Sequence, residues 1–234
     1  MTYNIIYASC KSPKGDHPYQ DFIKVSETER YLLAALADGL GSSKHSAKGA
    51  SLICDVLSDL FSKFYFGNSS VREILHNAIG EWYKRLEKKE VNPKDYLTTS
   101  SFIFIDKNSH KATFGFIGDS LIAFRKGASP IITLSEEKDF LNETNCIGTS
   151  KHPQYNITEI DIDSSLDFII ASDGFGDELI AEKIGQLFNY LIGKYSRTKP
   201  QKRNRDFKIE LSSTMRDKNS DDKSVIFGWI QSQM

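Results

Sequence analysis

Short apolar runs separated by polar turns make up most of the chain, and longer amphipathic stretches lie between some of them. Runs of this length that are rich in β-branched and aromatic residues predict β-strands. Residues 31–37 form an apolar run typical of a buried strand, and the run 166–171 is interpreted as a central strand. The predicted strands are Tyr3–Ser9, Phe22–Val25, Tyr31–Ala37, Thr98–Ile105, Ala112–Ile117, Leu121–Phe124, Ile131–Leu134, Ile157–Ile162, Leu166–Ala171 and Val225–Ile230.

Apolar residues spaced three and four apart predict amphipathic helices between these strands. The segment Gly67–Ser70 ends the first helix and begins the second, because glycine and asparagine end helices and serine caps their first turn. The apolar faces are Ile53, Leu57, Leu60, Phe61 and Phe64 in the first helix, Val71, Ile74, Leu75, Ala78, Trp82 and Leu86 in the second, Ile180, Ile184, Leu187, Phe188 and Leu191 in the third, and Phe207, Leu211 and Met215 in a short fourth.

Composition and charge are those of an ordinary globular protein. Hydrophobic residues make up 39% and charged residues 26% of the 234 positions, and the formal net charge is -1. We therefore expect neither nucleic acid nor a membrane as a partner. The cysteines Cys10, Cys54 and Cys146 lack a metal-binding spacing and fit a reducing compartment. With no signal peptide and no run long enough to span a bilayer, we expect a cytoplasmic protein with one domain over residues 1–234.

Five aspartates lie at boundaries between an apolar strand and a polar turn: Asp21, Asp38, Asp119, Asp173 and Asp221. Strands of one sheet end along a common edge, so acidic groups in the adjoining loops can converge there. Clustered carboxylates repel one another unless cations neutralise them. Aspartate is also common in turns, so each residue alone is equally consistent with a local cap.

A cluster of oxygen donors without cysteine indicates Mg²⁺ or Mn²⁺ rather than Zn²⁺. The glycine at position 39 lets the backbone bend and brings its carbonyl close to a ligand beside Asp38. Two such ions about 3.5–4 Å apart form a clamp that binds phosphate oxygens and activates water for in-line attack. The pattern therefore favours metal-dependent phosphoryl hydrolysis.

The motifs resemble those of the metal-dependent serine/threonine protein phosphatases of the PP2C (PPM) type, in particular the compact bacterial branch. Each motif alone is common, but together they run through nearly the whole chain in the family's order. The motifs are Gln20-Asp21, Asp38-Gly39-Leu40-Gly41-Ser42 followed by Ser46 and Gly49-Ala50, Thr98-Thr99, Gly118-Asp119-Ser120, Ser172-Asp173-Gly174 and Asp221-Asp222-Lys223-Ser224.

The resemblance implies an α+β fold, a four-layer α-β-β-α sandwich with two central antiparallel sheets. Residues 44–90 would form the helices on one sheet, and the helices after Asp177 would cover the other. It also implies the catalytic metal ligands Asp38, Asp173 and Asp221.

Further ligands follow from the same resemblance. Asp21 would bind through its carboxylate or through water, and Gly39 would bind through its carbonyl. Asp119 would hold a third, weaker ion together with Asp173, and Asp177 is a poorer candidate for that site. The cofactors would be two, or with this site three, Mn²⁺ or Mg²⁺ ions. The partner would be a phosphorylated protein substrate with a cognate Ser/Thr kinase, and we expect a monomer.

The chain departs from the family pattern at two places. Many relatives have an arginine shortly before the Gln-Asp pair, but residues 15–19 contain none, and Leu40 stands where many relatives have a histidine proposed to protonate the leaving alcohol. A metal-bound water, His17 or His45 would have to replace that acid. General acid catalysis contributes roughly 10²–10⁴-fold, so loss of the acid is compatible with slow turnover and does not imply that activity is absent. Residues 135–155 correspond to a variable flap in relatives.

Two other functions remain open at this stage. A catalytically weak chain would serve as a phosphoprotein-binding or regulatory module, and a third possibility is a phosphatase for a small metabolite.

Overall fold

The computed structural model describes residues 1–11, 18–64, 70–134, 145–149, 153–214 and 221–232. They form two compact units, each with one antiparallel sheet of five strands and helices packed on it. The predicted α+β class and the two antiparallel sheets are thereby confirmed. In chain order the elements are β1 Thr2–Cys10, β2 Phe22–Glu27, β3 Tyr31–Ala37, α1 Ser46–Phe64, α2 Val71–Glu87, β4 Ser100–Asp106, β5 Lys111–Ile117, β6 Leu121–Lys126, β7 Ile132–Leu134, β8 Asn156–Asp161, β9 Ser165–Ala171, the single turn α3 Asp173–Gly176, α4 Ile184–Tyr195, α5 Pro200–Thr214 and β10 Lys223–Gln231.

The first unit, called here the α1–α2 unit, contains the sheet β2-β3-β4-β5-β8. Every residue of β3 is buried, as its apolar run predicts. Leu33, Ala35 and Ala37 share one hydrophobic cluster with residues of α1 and α2, including Phe61 and Trp82. Because side chains alternate along a strand, the even-numbered residues of β3 occupy the opposite face of the sheet. The helices therefore cover one face of this sheet, and β3 contacts them through its odd-numbered residues.

The start of α2 shows the predicted serine cap. Ser70 accepts a hydrogen bond from the backbone N–H of Glu73, and the Glu73 carboxylate accepts one from the Ser70 N–H. This reciprocal capping box satisfies two of the N–H groups that a helix start leaves without partners. Residues 65–69, which contain most of the predicted stop signal, lie outside the described residues.

The second unit, called here the α3–α5 unit, contains the sheet β1-β10-β9-β6-β7. β9 is the central strand, as predicted, and the closing strand β10 lies between β1 and β9. Ile169 and Phe227 from these strands share a hydrophobic cluster with Phe188 of α4 and with Phe207 and Leu211 of α5. The predicted apolar face of α5 is thus confirmed for two of its residues, and Met215 lies outside the described residues.

Two helix predictions were wrong in detail. The third helix begins at Ile184, whereas Ile180 has extended backbone angles and is 52% exposed. The fourth helix is longer than expected, because Pro200 suits the first turn of a helix and begins α5 within residues 194–208, which are rich in lysine and arginine. Among the described residues, no helix combines the length and the apolar character needed to cross a membrane.

Candidate metal centre

β2 and β3 bring Asp21 and Asp38 to the same end of the sheet. Phe22 pairs with Ala37 in the antiparallel ladder, so Asp21 and Asp38 are the next residues to face each other. Asp38 continues the even-numbered face of β3, which points away from the helices because Ala35 and Ala37 pack against them. Asp21 is 4% exposed. The register therefore forms the first acidic pair.

Two threonines hold the backbone of Asp38. The Asp38 N–H donates to Thr99 Oγ1 at 3.0 Å. The Asp38 carbonyl accepts from the Thr99 N–H at 2.8 Å and from Thr98 Oγ1 at 2.9 Å. The sequence contained this Thr-Thr motif without revealing its role, because the pairing joins residues about 60 positions apart.

Gly39 occupies a space that no side chain fits. A Cβ atom there would lie 2.6 Å from the backbone carbon of Ser46 at the start of α1. Gly39 forms an antiparallel bridge with Thr98, closed by the flanking hydrogen bonds Leu40 N–H to Leu97 O and Thr99 N–H to Asp38 O. Because carbonyls alternate in direction along an extended chain, the Gly39 carbonyl points away from residues 97–99. This orientation fits its predicted role as a ligand.

Asp119 lies at the same end of this sheet. β4 and β5 end on the pair Ser100–Ile117, and Asp119 follows two residues after that pair. Beyond it, Ile147 rather than Asp119 pairs with Thr98. The preceding Gly118 has φ +101°, a conformation that favours glycine. Burial and the nearby Asp119 carboxylate raise the pKa of the Cys146 thiol to about 11. The α1–α2 unit thus brings four of the predicted ligands, Asp21, Asp38, Gly39 and Asp119, to one sheet end.

The α3–α5 unit brings Asp173 and Asp221 together. Asp173 begins the turn α3, directly after the central strand, and Asp221 precedes β10. A Cβ atom on Gly174 would lie 2.1 Å from the Asp222 carbonyl oxygen and 3.1 Å from the Asp221 Cβ. Only glycine allows this approach of the two loops, which forms the second acidic pair.

A buried lysine joins the same two loops. Lys223 Nζ donates to the Gly174 carbonyl at 2.9 Å and to Glu178 Oε1 at 3.0 Å. The two side chains of this ion pair are 3% and 8% exposed. Beside it, the Ser172 N–H donates to the Ser224 carbonyl, and the Ser224 N–H donates to Ser172 Oγ. Lys223 belongs to one of the sequence motifs, but nothing in the sequence indicated this ion pair.

The remaining candidates have less specific positions. Asp177 is exposed at the end of α3. The exposed His45 lies with its ring 5.2 Å from that of Tyr96, and His17 lies outside the described residues. Within the described parts of either unit, no group of three or more histidine, cysteine, aspartate or glutamate side chains could hold a metal ion by itself. The structure therefore presents four of the acidic motif residues as two pairs, Asp21 with Asp38 and Asp173 with Asp221.

The sequence profile of the protein phosphatase 2C family matches residues 13–212, which is most of the chain. The chain belongs to this family. The motifs that resemble those of the protein phosphatase 2C family lie in both units. No curated protein sequence matches the chain closely enough to be counted as a relative.

Several solved structures, two of them of serine/threonine phosphatases, share the fold of this protein phosphatase 2C chain. Stp1 from Staphylococcus aureus is 16% identical, with 99% of this chain and 96% of that chain covered and a TM-score of 0.72. The S. agalactiae serine/threonine phosphatase is 16% identical, with 98% and 100% covered and a TM-score of 0.70. RsbX, solved in complex with magnesium, is 15% identical, with 97% and 94% covered and a TM-score of 0.64. At these identities the likeness establishes the fold alone.

Proposed function

We propose that the chain hydrolyses phosphoserine and phosphothreonine on proteins in a metal-dependent reaction. The observation that supports this most directly is the arrangement of the acidic motif residues in pairs. Asp21 faces Asp38 at one sheet end, and Asp221 lies against Gly174 beside Asp173. Membership of the protein phosphatase 2C family and the likeness to serine/threonine phosphatases support the class of reaction.

The residues present fit two divalent ions that prefer oxygen ligands. Asp38, Asp173 and Asp221 would be the principal ligands, with Asp21 and the Gly39 carbonyl completing the set. Asp119 would serve a third ion together with Asp173. Carboxylate and carbonyl oxygens suit Mg²⁺ or Mn²⁺, and the magnesium in the RsbX structure agrees with this choice. When bound, such ions stabilise charge on phosphoryl oxygens and lower the pKa of water.

The other residues of the centre hold the acidic groups in position. Thr98 and Thr99 fix the backbone of Asp38 by three hydrogen bonds. The Asp173 carboxylate accepts a hydrogen bond from the Gly174 N–H at 2.6 Å, which restrains its rotamer. Such restraint keeps the carboxylates close to the geometry that binding requires, so less ordering is needed when substrate arrives.

Protonation of the leaving alcohol is the step with the least support from the chain's residues. Leu40 stands where many relatives have the proposed histidine acid. His45 is exposed and packs against Tyr96, and we propose it as a substitute that would act only through a water molecule. Without a direct acid, turnover would be slower by up to about 10²–10⁴-fold than with a positioned one.

This departure supports the second candidate function, a regulatory or phosphoprotein-binding module with little turnover. A phosphatase for a small metabolite is the third. We would compare hydrolysis of an aryl phosphate and of a phosphothreonine peptide by chelator-stripped protein, with and without Mn²⁺. Turnover of the peptide that needs Mn²⁺ supports the proposal, whereas peptide binding without turnover supports the module. Preference for soluble phosphates over the peptide supports a metabolite phosphatase.

Variants locate the activity in the proposed centre. Asp38→Ala and Asp173→Ala should abolish turnover while circular dichroism and the unfolding midpoint remain close to those of the wild type. Asp161→Ala and Asp163→Ala are matched controls, because these aspartates are 68% and 73% exposed and lie in the same two units. Near wild-type turnover in either Asp38→Ala or Asp173→Ala would show that the site assignment is wrong.

A further inference from the structure

A groove lies beside α2 in the α1–α2 unit, between the helix and residues 153–157. Its volume is about 440 Å³. Leu75 and Ile79 of α2 form one wall, and Tyr155 and Ile157 form the other. These four side chains make the groove apolar, while its rim is polar. A concave, mostly apolar surface of this size with a few polar groups at its edge is typical of a ligand-binding site.

An arginine and a histidine side chain lie at the rim of the groove. Arg72 and His76 are exposed and line the groove one helical turn apart on the same side of α2. Among the described residues, neither has an ion-pair or hydrogen-bond partner. A carboxylate placed between the two would gain charge-assisted hydrogen bonds that no residue described in this chain supplies.

Gly80 extends the groove along the same side of α2, one further turn from His76. A Cβ atom on Gly80 would meet no atom within 4 Å, so the packing of the chain does not require glycine there. Glycine inside a helix is nonetheless less stable than alanine. A close approach of another backbone would explain why this position has no side chain.

The opposite wall leads into the edge strand β8, which is the last strand in the order β2-β3-β4-β5-β8. An edge strand offers backbone N–H and C=O groups that an added extended peptide segment can hydrogen-bond. An acyl chain has no donor or acceptor groups along its length and could not use them. We propose that this groove, the α2–β8 groove, binds a short extended segment of a partner protein. The segment places an apolar side chain on Leu75 and Ile79 and a carboxylate against Arg72 and His76.

The α2–β8 groove is separate from Asp38, a proposed metal ligand of the same unit. Asp38 follows β3 on the face of the sheet away from the helices, whereas Tyr155 packs in the cluster on the helix face. β8 is three strands away from β3, which corresponds to about 14 Å at the usual strand spacing. Occupation of the groove therefore leaves hydrolysis of a small aryl phosphate unchanged, and the proposal holds whether or not the chain is an active phosphatase.

Selection of phage-displayed peptides on the full chain tests the proposal directly. Recovered peptides should combine an apolar residue with a nearby aspartate or glutamate, and conversion of that acid to its amide should weaken binding at least tenfold. Gly80→Leu, which fills the groove, and Arg72→Glu should each weaken binding at least tenfold. Gly193→Leu is the matched control, because Gly193 also lies in a helix and a Cβ atom there would likewise meet no atom within 4 Å.

The outcomes separate the occupants. Failure to recover peptides, or binding that is indifferent to Gly80→Leu and Arg72→Glu, would overturn the proposal. If Gly80→Leu and Arg72→Glu weakened the binding of decanoate but of no peptide, the groove would be assigned to a fatty acid instead. Leucine favours helix more than glycine does, so Gly80→Leu should keep or raise the unfolding midpoint, and loss of binding could not be attributed to unfolding.

Discussion

Lys223 Nζ lies 3.0 Å from Glu178 Oε1, and both side chains are almost completely buried. The same ammonium group donates to the Gly174 carbonyl, so one side chain fastens β10 to the turn that follows β9. Glu178 Oε2 has no hydrogen-bond partner among the described residues. The pair therefore connects the two loops that contain Asp173 and Asp221.

Removing one partner of this pair should be costly. Lys223→Met leaves the Glu178 carboxylate buried without its counter-ion, and such changes destabilise proteins by about 3–5 kcal/mol. The double variant Lys223→Met/Glu178→Leu should recover much of this loss, since two apolar side chains often replace a buried ion pair without penalty. Urea unfolding of the three proteins measures the difference. A double variant no more stable than Lys223→Met would contradict the coupling.

Substitution by alanine should have opposite effects on stability at Gly39 and at Gly80. Gly39→Ala would push a methyl group against the Ser46 backbone and should destabilise the fold by about 1–3 kcal/mol, with loss of turnover. Gly80→Ala meets no atom and should stabilise by about 0.5–1 kcal/mol with unchanged turnover. Urea midpoints and aryl phosphate hydrolysis test both. Equal effects at the two positions would show that the close contact at Gly39 is unimportant.

Cys146 should have no catalytic role, although it lies near Asp119. Burial and the Asp119 carboxylate raise the pKa of its thiol to about 11, so the nucleophilic thiolate is scarce at neutral pH. Cys146→Ser should therefore retain nearly all of the wild-type turnover. An aromatic disulfide reagent should modify the partly exposed Cys10 before Cys146. Loss of turnover in Cys146→Ser would reveal a thiol function that the structure does not explain.

Glu210 should give the stability of the chain part of its pH dependence. Burial tends to raise the pKa of Glu210, but hydrogen bonds from Tyr190 and Tyr195 and the ion pair with Lys194 lower it overall. Since the folded pKa lies below the unfolded value of about 4.3, the charged carboxylate stabilises the fold above that pH. This contribution is lost as the pH falls through the folded pKa.

Glu210→Gln should therefore flatten the change in unfolding free energy below about pH 5, measured by urea unfolding at several pH values. Glu182→Gln, at an exposed glutamate of the same unit, is the control and should keep the wild-type pH profile. Identical profiles for the wild type and Glu210→Gln would show that this hydrogen-bonded cluster does not contribute to acid stability.

Local pattern was sufficient to predict most of the fold. The apolar run Tyr31–Ala37 is strand β3 with the same bounds, and the serine cap of α2 followed from residue type alone. Ile180 fits the helical spacing of α4, yet the backbone is extended there. The spacing of apolar residues does not show where the preceding turn α3 ends and the next helix begins.

The candidate site was predicted from its acidic residues but not from what holds them. Aspartates at strand ends are visible in the sequence, and so is the order of the motifs. The Lys223–Glu178 pair joins residues 45 positions apart, and the bonds from Thr98 and Thr99 to Asp38 depend on strand register. Contacts of this kind are set by tertiary packing and leave no periodic signal in the sequence.

The proposed function requires that Asp38, Asp173 and Asp221 bind divalent ions. Anomalous scattering from crystals grown with Mn²⁺, measured on either side of the manganese absorption edge, is the decisive experiment. We expect two strong peaks bonded to the carboxylates of Asp38, Asp173 and Asp221, and their loss in crystals of Asp173→Asn. Carboxylates that point into separate regions of solvent, with no manganese peak among them, would contradict the proposal.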